Sequence, residues 1–232
     1  MRRRRLLTLL LLLPGAALPA SLRAQSVLVD EGTFALTLGG KPAGTETFQI
    51  RRSGLGSDAI AIAQGHVTLE ESGKTIELTP ILEAGLPDGE ATSYHLKATG
   101  AETSELSLKL AGRRYVSLIR SNQGEEEREF LARPETHILE KDVAHQYYFL
   151  HNVREGTSTP VIEPRTRRQL QLVASVWTDE ELRLGPNVVQ ARKVTFGAGD
   201  DARTVWYDRQ GRVLKVEIPS LGYVAERQDL VG

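Results

Sequence analysis

Almost every segment of this chain alternates apolar and polar residues with a period of two, and a chain patterned in that way has to bury one face of a sheet. Phe34, Leu36 and Leu38 alternate with Ala35 and Thr37, the chain turns at Gly39-Gly40-Lys41-Pro42, and Glu46, Phe48 and Ile50 alternate with Thr45, Thr47 and Gln49. That is a hairpin. Further strands are expected over 59–63, 66–70, 75–79, 93–98, 105–110, 115–120, 127–132, 169–177, 188–196, 203–207, 212–218 and 222–227. Leu106, Leu108 and Leu110 share one face and Ser107 and Lys109 the other, the habit of an antiparallel strand with one wet side. Asp208-Arg209-Gln210-Gly211 reads as a turn, because Asp opens it and Gly takes the left-handed position that follows.

One stretch has the other period. Over 142–153, Val143, Tyr147 and Leu150 recur at i, i+4 and i+7, with Asp142 placed to cap the amino end and Gly156 following the carboxyl end. The spacing predicts one short α-helix. Gly156-Thr157-Ser158-Thr159-Pro160 reads as a loop, too short to separate two domains. The expected assembly is mainly β: a curved antiparallel sheet, half-barrel or barrel-like, with the helix laid on its concave face. A two-sheet β-sandwich is the alternative, since strand count does not separate the two.

The first residues set the expected compartment. Arg2 to Arg5 precede an apolar run from Leu6 to Leu13, broken only by Thr8, and small residues follow Pro14. These are the regions of a secretory signal peptide, and the run falls short of the ~20 apolar residues needed to span a bilayer. Residues 1–24 are therefore expected to be cleaved, after Ala24 or alternatively after Ala20. Residues 25–232 then form a single β-rich domain, periplasmic or secreted, with no stable membrane insertion. Losing the leader removes five arginines and no acidic residue, taking the formal charge from −1 to −6, so nothing draws the mature chain to nucleic acid. With no cysteine it carries neither a disulfide nor a lipidated N-terminal Cys, and its 208 residues suffice for a core without staples.

No nucleophile elbow, phosphate loop, dinucleotide fingerprint or metal signature is present, so no catalytic residue, metal ligand or cofactor is assigned and the chain reads as a non-enzyme. His145 and His151 stand six apart, about 240° from one another around a helix axis, and do not share a face as a metal pair would. Glu125-Glu126-Glu127, Asp179-Glu180-Glu181 and Asp200-Asp201 read as solvated turns. Alternation through Arg165, Arg167 and Arg168 puts at most two guanidinium groups on one anion, and such arginines also protect a strand edge. The binding candidates are Tyr147, Tyr148 and His151 on the helix, Arg168 at the start of the facing strand, and Trp177 and Trp206 as cavity-lining aromatics. A ligand of that gap is expected to be a lipid or another hydrophobic or amphipathic envelope molecule, its anionic head on Arg168. The helix, held chiefly by Val143, Tyr147 and Leu150, is expected to be the element that lifts. A cavity of ~300 Å³ or more under it favours binding; a solid core with a flat open edge favours a structural or protein-interaction role in the envelope. An unrecognised hydrolase ranks last.

The opening Glu31-Gly32-Thr33-Phe34 with Gly40-Lys41-Pro42-Ala43-Gly44-Thr45-Glu46, and the closing run from Val205-Trp206-Tyr207-Asp208 through Gly211 to Glu217, are similar to the ends of a group of secreted bacterial β-domains of unknown function. Residues 142–147 give a weaker match in the middle. The resemblance implies a Gly-x-Pro-x-Gly hairpin that opens the sheet and a Trp-x-Asp-x-x-Gly hairpin near its end. Similar domains precede some secreted α/β-hydrolases and transglutaminase-like proteins as non-catalytic modules. In overall design the group resembles the periplasmic half-barrels that carry lipoproteins or other lipids.

Overall fold

In a computed structural model the described residues are 26–101 and 103–229, and the expected leader lies outside them. Strands β1 (Val27–Leu38), β2 (Lys41–Ser53), β3 (Ile60–Glu71), β4 (Lys74–Gly85), β5 (Ala91–Gly100), β6 (Ser104–Ala111), β7 (Arg114–Ser121) and β8 (Gly124–Leu131) form a meander. After an intervening segment, β12 (Thr178–Leu184), β13 (Asn187–Phe196), β14 (Arg203–Tyr207), β15 (Val213–Ile218) and β16 (Tyr223–Arg227) form a second. The two meanders join where β16 pairs antiparallel with β1, giving one sheet of 13 strands in the order β12-β13-β14-β15-β16-β1-β2-β3-β4-β5-β6-β7-β8. The sheet is curved and open, its end strands β12 and β8 unpaired with one another, as the sequence pattern leads one to expect.

Alternation sets which face is buried. In β4, Ile76, Leu78, Pro80, Leu82 and Ala84 point inward while Glu77, Thr79, Ile81 and Glu83 point out. The inward sets of β1 to β8 and β13 to β16 make one core with Phe34, Ile50, Leu69, Tyr94, Leu108, Tyr115, Phe196 and Tyr223 among its members. Pro80 has no N–H to give, and the β3–β4 ladder is interrupted between Gln64–Ile81 and Val67–Leu78. A smaller cluster of Leu182, Leu184, Ala191, Trp206 and Leu214 packs apart from this core.

The concave face is filled by the segment between the meanders. It holds β9 (His137–Ile138), a 3-10 helix (His145–Leu150), β10 (Ser158–Glu163) and β11 (Arg168–Val173), the strands making a small sheet in the order β11-β10-β9. We call this segment the plug. Among the described residues no helix is long and apolar enough to cross a membrane.

Several local expectations are corrected here. The helix is shorter than 142–153 and is 3-10 rather than α: Asp142 has φ +67°, outside any cap geometry, and its carboxylate turns to Arg165. The loop at 156–160 is in part strand β10, whose Thr159 to Glu163 are all buried and so carry no alternation to read. Asp179-Glu180-Glu181 lies within edge strand β12 and Glu125-Glu126-Glu127 within edge strand β8, not in turns. The strand expected over 169–177 ends at Val173.

Candidate functional site

The underside of the plug is polar and sealed. Glu46, on the buried face of β2, accepts hydrogen bonds from the backbone N–H groups of Ala144 (2.7 Å) and His145 (3.0 Å), and its Oε1 lies 2.5 Å from His145 Nδ1. Both side chains are inaccessible to solvent. The His145 ring stacks on Phe48 (centroids 5.6 Å apart), and opposite it Gly65 leaves room: a Cβ there would stand 2.7 Å from His145 Cε1. Beside them the Glu140 N–H donates to Gln146 Oε1 (2.6 Å), and the guanidinium of Arg165 reaches Glu140 (3.2 Å) and Asp142 (2.8 Å). Burial pushes the Glu140 carboxyl up to about 7, against the pull of Arg165.

These contacts, with Ile138, Leu139, Val143, Tyr147, Phe149 and Leu150 all buried, fix the plug far more firmly than three apolar side chains would. Each such side chain contributes ~1.5–3 kcal/mol on burial. The expectation of a loosely held, lifting helix is therefore corrected. Between Tyr147 and Arg168, where a ligand gap was expected, the space is about 60 Å³, lined also by Glu163, Asp200, Arg203 and Ser220. That is room for roughly two waters at ~30 Å³ each, not for a lipid tail. Arg168 is engaged there by Asp201 (2.5 Å) and Glu163 (3.5 Å), and Arg203 pairs with Glu163. Arg167 pairs instead with Glu126. The three arginines flank a turn, where alternation does not apply, and each has its own carboxylate partner.

The other candidates divide by position. Tyr147 is sealed, its backbone carbonyl accepting from the Tyr207 hydroxyl (2.8 Å). Tyr148 and His151 come together, half-buried, at the outer end of the plug, and Trp177, also half-buried, meets the plug at Val153. The Tyr148 and His151 rings are 4.9 Å apart, Trp177 Nε1 donates to the Val153 carbonyl (3.1 Å), and the Arg192 guanidinium lies 4.6 Å over the Trp177 ring. Gly211 of the closing hairpin makes room for the His151 ring, since a Cβ there would fall 2.4 Å from His151 Cδ2. Burial lowers the His151 pKa. Trp206 is elsewhere, in the separate small cluster, with Lys193 and Lys215 over its ring and Nε1 donating to Glu180 (2.6 Å). As expected, His145 is packed and His151 partly open; the 240° separation of an α-helix does not apply to this 3-10 helix, and the two rings differ in surroundings, His145 against Glu46 and Phe48 and His151 against Tyr148 and Gly211.

At the same end of the plug a cleft of about 410 Å³ opens among Pro87, Asp88, Glu135, His137, Phe149, Asn152, Val153, Arg154 and Thr157. It lies beside the helix rather than under it. Sequence reading made none of these residues a binding candidate, because they come from three separate segments: the β4–β5 turn, the chain entering β9, and the helix exit. His137 is 2% exposed, its Nδ1 has no hydrogen-bond partner, and burial holds its pKa down at about 4.

Two buried groups therefore oppose one another in acid. His137 destabilises progressively as pH falls from its ordinary 6.5 towards 4, because the unfolded chain binds a proton that the fold refuses. Glu140 acts in the reverse sense: raised from 4.5 to about 7, it contributes most at low pH and loses that contribution as pH rises through 7. The wild-type contributions nearly cancel between about pH 7 and 5. His137→Asn leaves Glu140 uncompensated, so that variant should gain about 2 kcal/mol on that acidification relative to wild type, read from urea unfolding. Parallel pH profiles would refute the assignment.

No protein-family model matches the chain, and no curated protein matches it. Among solved structures it is similar to a beta-barrel-like protein of domain of unknown function DUF1849 from Brucella abortus, at 10% sequence identity and a TM-score of 0.54, covering 86% of this chain and 98% of that one. What is shared at that identity is the fold: this chain adopts the curved β-domain architecture of a protein whose own function is unknown.

Proposed function

We propose that the chain is an exported, non-catalytic binding domain of the bacterial cell envelope that holds a small amphipathic molecule in the cleft at the outer end of the plug. The observation that carries this reading is the cleft itself: its volume of about 410 Å³ is of ligand size, Phe149, Val153 and Pro87 supply an apolar wall, and His137 and Asn152 supply polar contacts. Export is supported by the arginine-led apolar leader. A sheet-edge partner is less well supported, because β8 is a charged edge whose terminal Leu131 N–H and C=O are both engaged by the Gln169 side chain.

Native mass spectrometry of protein purified from its own envelope fraction tests the reading. Wild type should carry a bound small molecule, and Asn152→Trp, which fills the cleft from an exposed position, should lose it while melting normally. No bound species, together with no shift in melting temperature with palmitate, lysophosphatidylcholine or an alkylamine, would overturn it.

A further inference from the structure

The charges around the cleft are not balanced. Its charged lining residues are Asp88, Glu135 and Arg154, all exposed, and none of the three forms an ion pair among the described residues. Two carboxylates thus face one guanidinium. Against them stands His137, buried to 2% exposure in the wall of the same cleft with Nδ1 unpartnered. Held neutral by its burial, the ring carries no charge to repel a cation. A carboxylate or phosphate head would meet two like charges there and find a single counter-charge. The arginine-lined gap beside Tyr147 offers such a head no alternative, since Arg168 and Arg203 are already paired with Glu163 and Asp201.

Resting on the amphiphile-binding reading above, we propose that the ligand of this cleft carries an ammonium group: the tail packs against Phe149 and Val153, and the head lies among Asp88, Glu135 and His137. Octylamine, octanol and octanoate are eight-carbon amphiphiles with a cationic, a neutral and an anionic head, so they separate this proposal from the reading beneath it. In titration calorimetry near neutral pH, below micelle formation, octylamine should bind about fivefold more tightly than octanol, with octanoate weakest. The preference should disappear in the double variant Asp88→Asn/Glu135→Gln and shrink as salt rises from about 20 mM to about 200 mM. All binding should be lost in Asn152→Trp. Equal affinity for octylamine and octanol would overturn the ammonium proposal and leave amphiphile binding standing. Octylamine binding that survives Asn152→Trp, or tighter binding of octanoate, would also overturn it. Binding of none of the three would remove both readings together.

Discussion

Replacing Glu46 by Ala should lower the stability of the folded domain by about 3–5 kcal/mol, the range expected when one partner of a buried, hydrogen-bonded pair is removed. Three donors lose their acceptor at once: the N–H groups of Ala144 and His145, and the His145 ring. All are sealed between plug and sheet, so water does not replace the carboxylate without opening the core. Urea unfolding should show the midpoint falling with little change in slope. Glu46→Gln keeps one acceptor and should lose less, while Glu127→Ala, on the exposed edge strand, should stay within about 0.5 kcal/mol of wild type. A loss below about 1 kcal/mol for Glu46→Ala would mean that the plug is held by its apolar contacts alone.

The second large effect belongs to Gly44, two residues upstream on the same strand. A Cβ at Gly44 would sit 1.9 Å from the Thr68 carbonyl oxygen and 3.1 Å from Leu69 Cα, both backbone atoms of the neighbouring strand β3. No rotamer relieves a clash with main chain, so Gly44→Ala should force β2 and β3 apart locally and destabilise by about 3 kcal/mol. The variant should also show faster amide exchange along the Gly44–Leu69 to Glu46–Val67 pairs. Unchanged melting would show that the strand pair relaxes at no cost.

Both residues belong to the opening hairpin, and both are explained by packing. The period-two pattern located twelve of the sheet's 13 strands because each has one dry side, as Phe48 with Ile50 marks it for β2, and it missed β12, whose Asp179-Glu180-Glu181 reads as a turn. The same alternation puts Glu46 on the dry side, where a carboxylate needs a partner, and that signal was in the sequence. Gly65 was not such a signal, because it fell in the break between the strands expected over 59–63 and 66–70, which the structure joins as β3. The partner of Glu46, His145, was not identifiable, because it lies 99 positions away in a helix of which five of six residues are buried. With so little wet face, the apolar spacing there suggested an α-helix and hid the 3-10 geometry, and the buried run of strand β10 carried no alternation. The cleft was illegible for another reason: Asp88, Glu135 and Arg154 are ordinary surface charges until three loops converge.

The seam between β16 and β1 sets the order in which the molecule can come together. Every other pair of neighbours in the large sheet is consecutive in the chain, whereas Phe34 meets Arg227 only after almost the whole polypeptide has been made. Each meander can zip locally, but the seam closes a loop of nearly two hundred residues and pays its entropy last. Arg227 then locks it with two hydrogen bonds to the buried Asp30 carboxylate, at 2.8 and 3.0 Å. Before that seam forms, the chain is two half-sheets without a closed core, and completion waits on strand β16.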